Sequence, residues 1–353
     1  MSARVVVGFI PLLDCAPLAA AAALGFAEQE DIDLTLMRET SWANIRDRVI
    51  VGHFDAAHML GPMPIASTLG IGHLKVPMAA PLALGRGGNA ITVSAALWEV
   101  MSEHGAQIGG AAQLQGKALR RAVHARRDAG RPMLTFAVVY PFSSHNYLLR
   151  YWLDSSGIDP DRDVRLVVIP PPMLVDALRA TQIDGFCVGE PWSSVAVASG
   201  VGSIALPTTA IWERSPEKVL AGRLEWCQRN PDVLQSLIRA VHRAALWCEE
   251  PQNHSQLARL LAEPRYIAAP TEILMRGLQN RLVLVPGTTA RDVAGFYEIE
   301  RNSATVPQVD HALWFYSQMV RWGQIARSEA DLLQVRAVYR PDLYQIALAA
   351  NRT

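Results

Sequence analysis

Short apolar runs alternate with helix-length amphipathic segments over the first two thirds of the chain. The apolar runs have the length of strands and end at Gly, Pro or Asp turns. Strands are predicted at 5–10, 32–37, 54–59, 77–84, 90–94, 135–139, 164–169 and 183–188, and helices at 17–29, 42–51, 62–69, 144–155 and 173–181. This alternation is typical of open, mostly parallel α/β sheets. We therefore expect an α/β fold, with a mostly helical part from about residue 217.

The chain is also long enough for two lobes. Its 353 residues exceed the usual size of a single core. A weak internal repeat supports two lobes, because Asp55 and Asp184 each begin a short buried strand that ends at a Gly/Pro turn. We predict that lobe 1 begins with residues 1–94, that residues 95–206 form lobe 2, and that residues 207–353 return to lobe 1 and add C-terminal helices. Strand ends that face each other would form a ligand cleft.

Charge and composition exclude several classes of function. Lys plus Arg equals Asp plus Glu at 33 each, so the broad positive field that nucleic acid or an anionic membrane attracts is not expected. The sequence has neither a CxxC nor an HExxH motif, so the four cysteines are interpreted as reduced core thiols, and neither a metal nor a cofactor is predicted. It also lacks a GxSxG motif, and we predict a binding protein rather than an enzyme.

The apolar N-terminal region resembles an export signal only superficially. Pro11 and Asp14 interrupt the apolar run, which is shorter than the roughly 18 to 20 residues that span a bilayer. We interpret it as a strand, a turn and a helix of the fold. The protein is therefore expected in the cytoplasm.

The first candidate for anion binding is Trp42. Ser41 has the character of an N-cap, so free backbone N–H groups and the positive end of a helix dipole would lie where the preceding strand ends. The Trp42 indole would add one N–H donor and a flat wall. The alternative is a capped helix with a packed Trp.

His145 is the second candidate. It falls in the first turn of a predicted helix, where the positive dipole end lowers the pKa of imidazole and favours the neutral form. A neutral His still donates one hydrogen bond. The alternative is a partly exposed His at a helix start.

Lys218 is the third candidate. Ser215 and Pro216 are signals of a helix start, so Lys218 would place a cation at the positive end of a dipole. A bound anion would compensate for this, although a solvated Lys is equally consistent with the pattern.

Gly189 and Glu190 lie at the turn after the apolar strand 183–188. Gly189 is included among the ligand-binding candidates. Glu190 is assigned a structural or hinge role, with an ion pair to Lys218 or metal ligation as alternatives, because a carboxylate would repel a monovalent anion.

Several motifs occur together and in order over roughly residues 1 to 260. They are Thr40-Ser41-Trp42 with Arg46-Asp47, Gly61-Pro62-Met63-Pro64, His145 followed by Arg150-Tyr151-Trp152-Leu153, Gly157-Ile158-Asp159-Pro160 with Asp163-Val164, Pro170-Pro171-Pro172, Cys187-Val188-Gly189-Glu190-Pro191-Trp192 and Pro216-Glu217-Lys218-Val219-Leu220. With these motifs the chain resembles the nitrate- and bicarbonate-binding proteins of ABC importers, and more closely the cytoplasmic nitrate/nitrite sensors of the NasS type.

The resemblance implies a type II periplasmic-binding-protein fold with a hinge, and an anion held by Trp42, His145 and Lys218. The nitrate importers have a Gln in a strand entry where this chain has Asn89, which is one methylene shorter. The resemblance further implies that nitrate or nitrite releases an RNA-binding antiterminator of the NasT type. If one ammonium meets one anion, the closed site is expected to be nearly neutral. The alternative is a receptor for nitrate, bicarbonate or another small anion that feeds a transporter.

Overall fold

A computed structural model describes residues 2–72 and 74–349, so the outer limits predicted at residues 1 and 353 lie outside the described residues. The strands in these ranges are β1 (Ala3–Phe9), β2 (Ile32–Arg38), β3 (Ala56–Leu60), β4 (Met78–Ala83), β5 (Arg86–Gly87), β6 (Asn89–Ser94), β7 (Leu134–Val138), β8 (Val164–Val168), β9 (Gly185–Gly189), β10 (Gly202–Pro207), β11 (Lys218–Arg223), β12 (Arg281–Leu282), β13 (Arg291–Asp292) and β14 (Tyr297–Glu298).

Helices surround these strands. They are α1 (Ala16–Ala23), α2 (Trp42–Ile50), α3 (Pro62–Leu69), α4 (Ala95–Glu103), α5 (Ala112–Asp128), α6 (Ser144–Ser155), α7 (Leu174–Arg179), α8 (Trp192–Ala198), α9 (Leu224–Arg229), α10 (Pro231–Glu249), α11 (His254–Ala262), α12 (Thr271–Leu278), α13 (Val309–Arg321), α14 (Glu329–Val338) and α15 (Pro341–Ala349). Among the described residues, no helix combines the length and the apolar character needed to cross a membrane.

Two five-stranded sheets define two lobes. The first sheet has the order β2-β1-β3-β11-β4, and the second has the order β10-β6-β9-β7-β8. Strands β1, β2 and β3 run parallel, as do β7, β8 and β9. An antiparallel strand lies beside each parallel set: β11 pairs with β3, and β6 pairs with β9. The predicted pair of α/β lobes is therefore confirmed.

Strand β6 corrects the predicted limit of lobe 1. Residues 90–94 were expected in lobe 1, but Asn89–Ser94 pairs with β9 and β10 in the second sheet. The chain already crosses between lobes at the glycine turn before β6, where Gly85, Gly87 and Gly88 all have positive φ. This backbone conformation is readily available only to glycine, so the turn and the crossing coincide.

Strand β11 corrects the prediction around Lys218. Lys218 begins a central strand of the first sheet rather than a helix, and β11 lies antiparallel between β3 and β4. Its first five residues are buried, as expected of a strand covered on both faces. Ser215 and Pro216 instead run beside the glycine turn, where Gly87 N donates to Ser215 O at 3.1 Å. The helix-start signal of Ser215 and Pro216 was thus outweighed by the pairing of β11 within the sheet.

Two neighbouring segments connect the lobes. Residues 84–88 lead from the first sheet to the second, and residues 208–217 lead back. They are tied together because Gly87 N donates to Ser215 O at 3.1 Å and Arg86 forms an antiparallel bridge with Pro216. Two adjacent crossing strands are a natural hinge.

The C-terminal helices complete the core of lobe 1. Helix α10 packs on α1 and α15, and Leu237 in its centre is fully buried within a large apolar cluster. A second cluster includes residues of both lobes, among them Trp42 and Phe142. The four cysteines, all within the described ranges, are buried free thiols.

We expect Leu237→Ala in α10 to lower the free energy of unfolding by about 2–5 kcal/mol, because it removes a buried side chain and leaves a cavity. Leu246 on the same helix is 47% exposed, and Leu246→Ala should change the free energy by less than about 0.5 kcal/mol. Urea unfolding followed by circular dichroism measures both. Equal losses for the two variants would contradict the orientation of α10.

Candidate functional site

The predicted site residues meet between the two lobes. Trp42 begins α2, and Lys218 begins β11, both in lobe 1. Asn89 begins β6, His145 is the second residue of α6, and Gly189 ends β9, all in lobe 2. All five are buried. Each element presents its end to the cleft, as open α/β sheets do at their ligand sites.

Two serine caps fix the helix starts at this cleft. The Ser41 side chain accepts a hydrogen bond from Asn44 N at 3.2 Å, and the Ser143 side chain accepts one from Asn146 N at 3.0 Å. Capping removes one free donor from each helix and sets its first residue. Trp42 and His145 are thereby held at the cleft.

Lys218 is the electrostatic centre of the site. Its side chain is 0% exposed, and its ammonium lies 2.7 Å from Asp14 Oδ2 and also contacts Glu217 Oε1. Burial alone would lower the pKa of Lys218, but the two carboxylates raise it above its ordinary value. The Trp42 ring centroid lies 6.0 Å from the same ammonium, within cation–π range.

Sequence reasoning missed Asp14 as a site residue. Burial alone would raise its pKa, but Lys218 and His58 hold the pKa of Asp14 well below its usual range. His58 Nε2 lies 2.9 Å from Asp14 Oδ1, and the His58 ring meets Trp42 edge-on at 5.3 Å. An available signal was an acidic residue within the apolar segment that follows the first strand. Asp14 therefore supplies a permanent negative charge beside Lys218.

Glu217 was also missed, and it joins the two lobes. Its carboxylate accepts hydrogen bonds from the Asn89 side-chain amide and from the Ser144 hydroxyl, both in lobe 2. The same carboxylate contacts Lys218, and its Oε1 lies 3.6 Å from His145 Nε2. The sequence shows that Glu217 precedes Lys218, but it does not show that the Glu217 carboxylate contacts residues of the second lobe.

The expected charge balance of the site is wrong. One ammonium was expected to remain for one anion, whereas Lys218 already faces Asp14 and Glu217. Two carboxylates beside one ammonium leave no unused positive charge on Lys218. The balance failed because the contacts of both carboxylates with Lys218 depend on the folded chain, Asp14 lying in a short 3-10 helix about two hundred residues away and Glu217 directly before β11.

His145 provides a neutral donor. Burial lowers the pKa of His145 to about 4, so the ring is uncharged at neutral pH, as predicted, although burial rather than the helix dipole is the main cause. Among the described residues, both His145 ring nitrogens and Trp42 Nε1 are buried without a hydrogen-bond partner. Buried polar atoms of this kind are uncommon and mark groups available to a ligand.

Gly189 brings the end of β9 close to the charged groups. A Cβ at this position would lie 3.2 Å from Asn89 Oδ1 and 3.7 Å from Asp14 Oδ2. The tightest of these contacts is with Asn89, the partner of Gly189 in the second sheet, so glycine leaves room for the Asn89 side chain.

Glu190 has the structural role that was favoured for it. Its backbone carbonyl accepts from Leu13 N at 2.7 Å, and its side chain accepts from Ser194 N at 3.3 Å. The carboxylates that contact Lys218 are those of Asp14 and Glu217, so the alternative ion pair between Glu190 and Lys218 is wrong. Within the described ranges, no cluster of His, Cys, Asp and Glu is arranged to hold a metal.

Removing the Lys218 cation should destabilise the protein. We expect Lys218→Ala to lower the free energy of unfolding by about 3–5 kcal/mol, because Asp14 and Glu217 then remain buried without it. Urea unfolding measures the loss, and adding Glu217→Gln should recover part of it by removing one of the two charges. A loss below about 1 kcal/mol would contradict this role, since that is the value of an exposed pair.

The stability of the protein should also depend on pH through the Glu190 carboxyl group. Burial raises the pKa of Glu190 from 4.5 to about 7, so the folded state favours the protonated acid. Its stabilising contribution is present below pH 4.5 and is lost as the pH rises to about 7, a loss of about 3 kcal/mol at about 1.4 kcal/mol per unit. Glu190→Gln should remove this loss, as chemical denaturation across this pH range would show. An unchanged pH slope would contradict it.

Comparison with known proteins identifies the family and the fold of the chain. Residues 2–262 match the model of the NMT1-like family. The chain is 32% identical over 354 residues to the nitrate/nitrite binding protein NrtA of Synechococcus elongatus, covering 98% of this chain and 77% of that protein. It is 35% identical over 339 residues to the nitrate import ATP-binding protein NrtC of Synechocystis, with 96% of this chain covered.

The match to NrtC covers 48% of that protein, so this chain spans about half its length. The crystal structure of the periplasmic nitrate-binding protein NrtA from Synechocystis PCC 6803 superposes with a TM-score of 0.91 at 27% identity, covering 99% of this chain and 89% of that chain. The predicted periplasmic-binding-protein-like fold is thereby confirmed. From its sequence and its fold, the chain belongs to the NMT1-like family.

Proposed function

We propose that this chain binds nitrate or nitrite between its two lobes without changing it chemically. The observation that carries the proposal is the convergence of the Lys218 ammonium, the Trp42 indole and the neutral His145 ring in one buried place between the lobes. The similarity to nitrate/nitrite binding proteins over nearly the whole chain supports the choice of anion.

The donors suit a small planar oxyanion. The Trp42 indole supplies one N–H donor, and neutral His145 supplies another, while the Lys218 ammonium, paired with Asp14 and Glu217, is the cation nearest to them. Asn89 adds an amide at the start of β6, and Gly189, its partner on β9, leaves room for the Asn89 side chain. A ligand that contacts both lobes favours their closed arrangement by its differential affinity for it.

The cellular role that we propose is sensing in the cytoplasm. Binding of the anion would shift the balance between open and closed lobes, and a protein partner that prefers one form would be released. We propose an RNA-binding antiterminator of the NasT type as this partner, so that nitrate-assimilation genes are expressed when the anion is present. This chain would contact that protein and not nucleic acid directly.

A second candidate role is that of the solute-binding component of an ABC importer for nitrate, bicarbonate or another small anion. The similarity to NrtA over 77% of that protein favours it. The two roles share the anion site and differ in the partner. Co-purification from cells, with and without nitrate, separates an antiterminator from a permease.

We expect nitrate or nitrite to raise the melting temperature of the protein and bicarbonate to leave it unchanged. A ligand present at about 100 times its dissociation constant stabilises the folded state by about 2.7 kcal/mol. Trp42→Phe should weaken binding about tenfold, because it removes one donor worth about 1.5 kcal/mol. Trp247→Phe is the matched control, since Trp247 lies on α10 and packs against Phe26. A response to bicarbonate alone would contradict the proposal.

A further inference from the structure

Glu217 uses the groups that an anion would use. Its carboxylate takes the amide hydrogen of Asn89 and the hydroxyl hydrogen of Ser144, and it pairs with Lys218. Asn89 and Lys218 are residues that the proposed function assigns to the ligand. The hydrogens that Asn89 and Lys218 donate to Glu217 are therefore not free for a bound anion, and the positive charge of Lys218 is shared with Glu217.

The two acceptors are chemically alike. A carboxylate presents two oxygens on one planar centre, and so do nitrite and each edge of nitrate. Donors that are placed for one of these groups suit the others, because their oxygens have similar spacing and all carry partial negative charge. Glu217 is thus an acceptor of the right shape that the chain itself provides.

The charges make simultaneous occupation unfavourable. Asp14 and Glu217 already outnumber the one ammonium of Lys218, and His145 is neutral because burial lowers its pKa to about 4. A monovalent anion added to this arrangement would place a second uncompensated charge in a buried site. Such a charge is costly unless a partner neutralises it.

We propose that Glu217 is an internal substitute for the anion, which joins the lobes across the cleft and which an external oxyanion must displace. This inference rests on the proposed function, and it adds the residue that limits the affinity of the site.

The contribution of Glu217 can be separated from that of the other titratable groups near it. Those that face it, directly or through Lys218, come from both lobes and from the C-terminal part: Lys218, Asp14, His58, His145, Cys187 and Tyr339. Burial raises the pKa of Cys187 and of Tyr339 well above neutral. A variant that changes Glu217 alone leaves all six in place, so it isolates the contribution of this carboxylate.

Calorimetric titration with nitrate tests the competition. Glu217→Gln should bind nitrate on the order of tenfold more tightly than the wild type. Lys218 keeps Asp14 as its partner in this variant. Glu39→Gln, which alters a buried carboxylate paired with Arg48, should behave as the wild type does.

Weaker or equal binding by Glu217→Gln, in a wild type that binds nitrate, would overturn the inference and leave the proposed function in place. If neither protein binds nitrate or nitrite, the inference and the proposed function are both contradicted. Glu217→Ala is the second variant, in case the glutamine retains the contacts to Asn89 and Ser144.

Small-angle X-ray scattering tests the contact across the cleft. Without nitrate, Glu217→Ala should have a larger radius of gyration than the wild type, because the contacts with Asn89 and Ser144 are lost. Nitrate should restore the wild-type value. An unchanged radius without nitrate would overturn the assignment of Glu217 as a connection between the lobes.

Discussion

The ammonium of Lys218, buried between the carboxylates of Asp14 and Glu217, is the interaction on which the centre of this molecule depends. An ammonium can remain charged at such depth only if paired, and the carboxylates require it equally. The first sheet holds the cluster in place, because β11 begins at Lys218 and lies between β3 and β4. A charge cluster fixed by a sheet is rigid, so a ligand that enters it must match its geometry.

The same cluster connects the two lobes. Glu217 reaches from the segment that enters β11 to Asn89 and Ser144 in the second lobe. Arg46 supports this closure from the rim, where it donates to the Tyr140 hydroxyl at 2.8 Å. The balance of charge and the closure of the cleft therefore depend on the same carboxylate.

Local sequence patterns predicted much of the fold. The helix 144–155 was placed as the structure has it, because Ser143 caps it and its apolar spacing is regular. Strand β11 was missed, since Ser215 and Pro216 have the same local character as a helix start. The position of β6 was missed because strand pairing depends on partners about a hundred residues away, such as Gly189 opposite Asn89. Short-range signals do not contain that information.

By itself, the sequence determined the alternating α/β architecture, the capped helix starts at Trp42 and His145, and the family to which the chain belongs. The architecture and the helix starts depend on residues a few positions apart, and the family assignment depends on the order of the motifs along the chain. Only the tertiary structure decided the electrostatic character of the site. The groups that set the charge around Lys218 are Asp14, His58 and Glu217, and two of these are distant in sequence. Coulomb interactions depend on distance in space and on burial, which the folded chain alone defines.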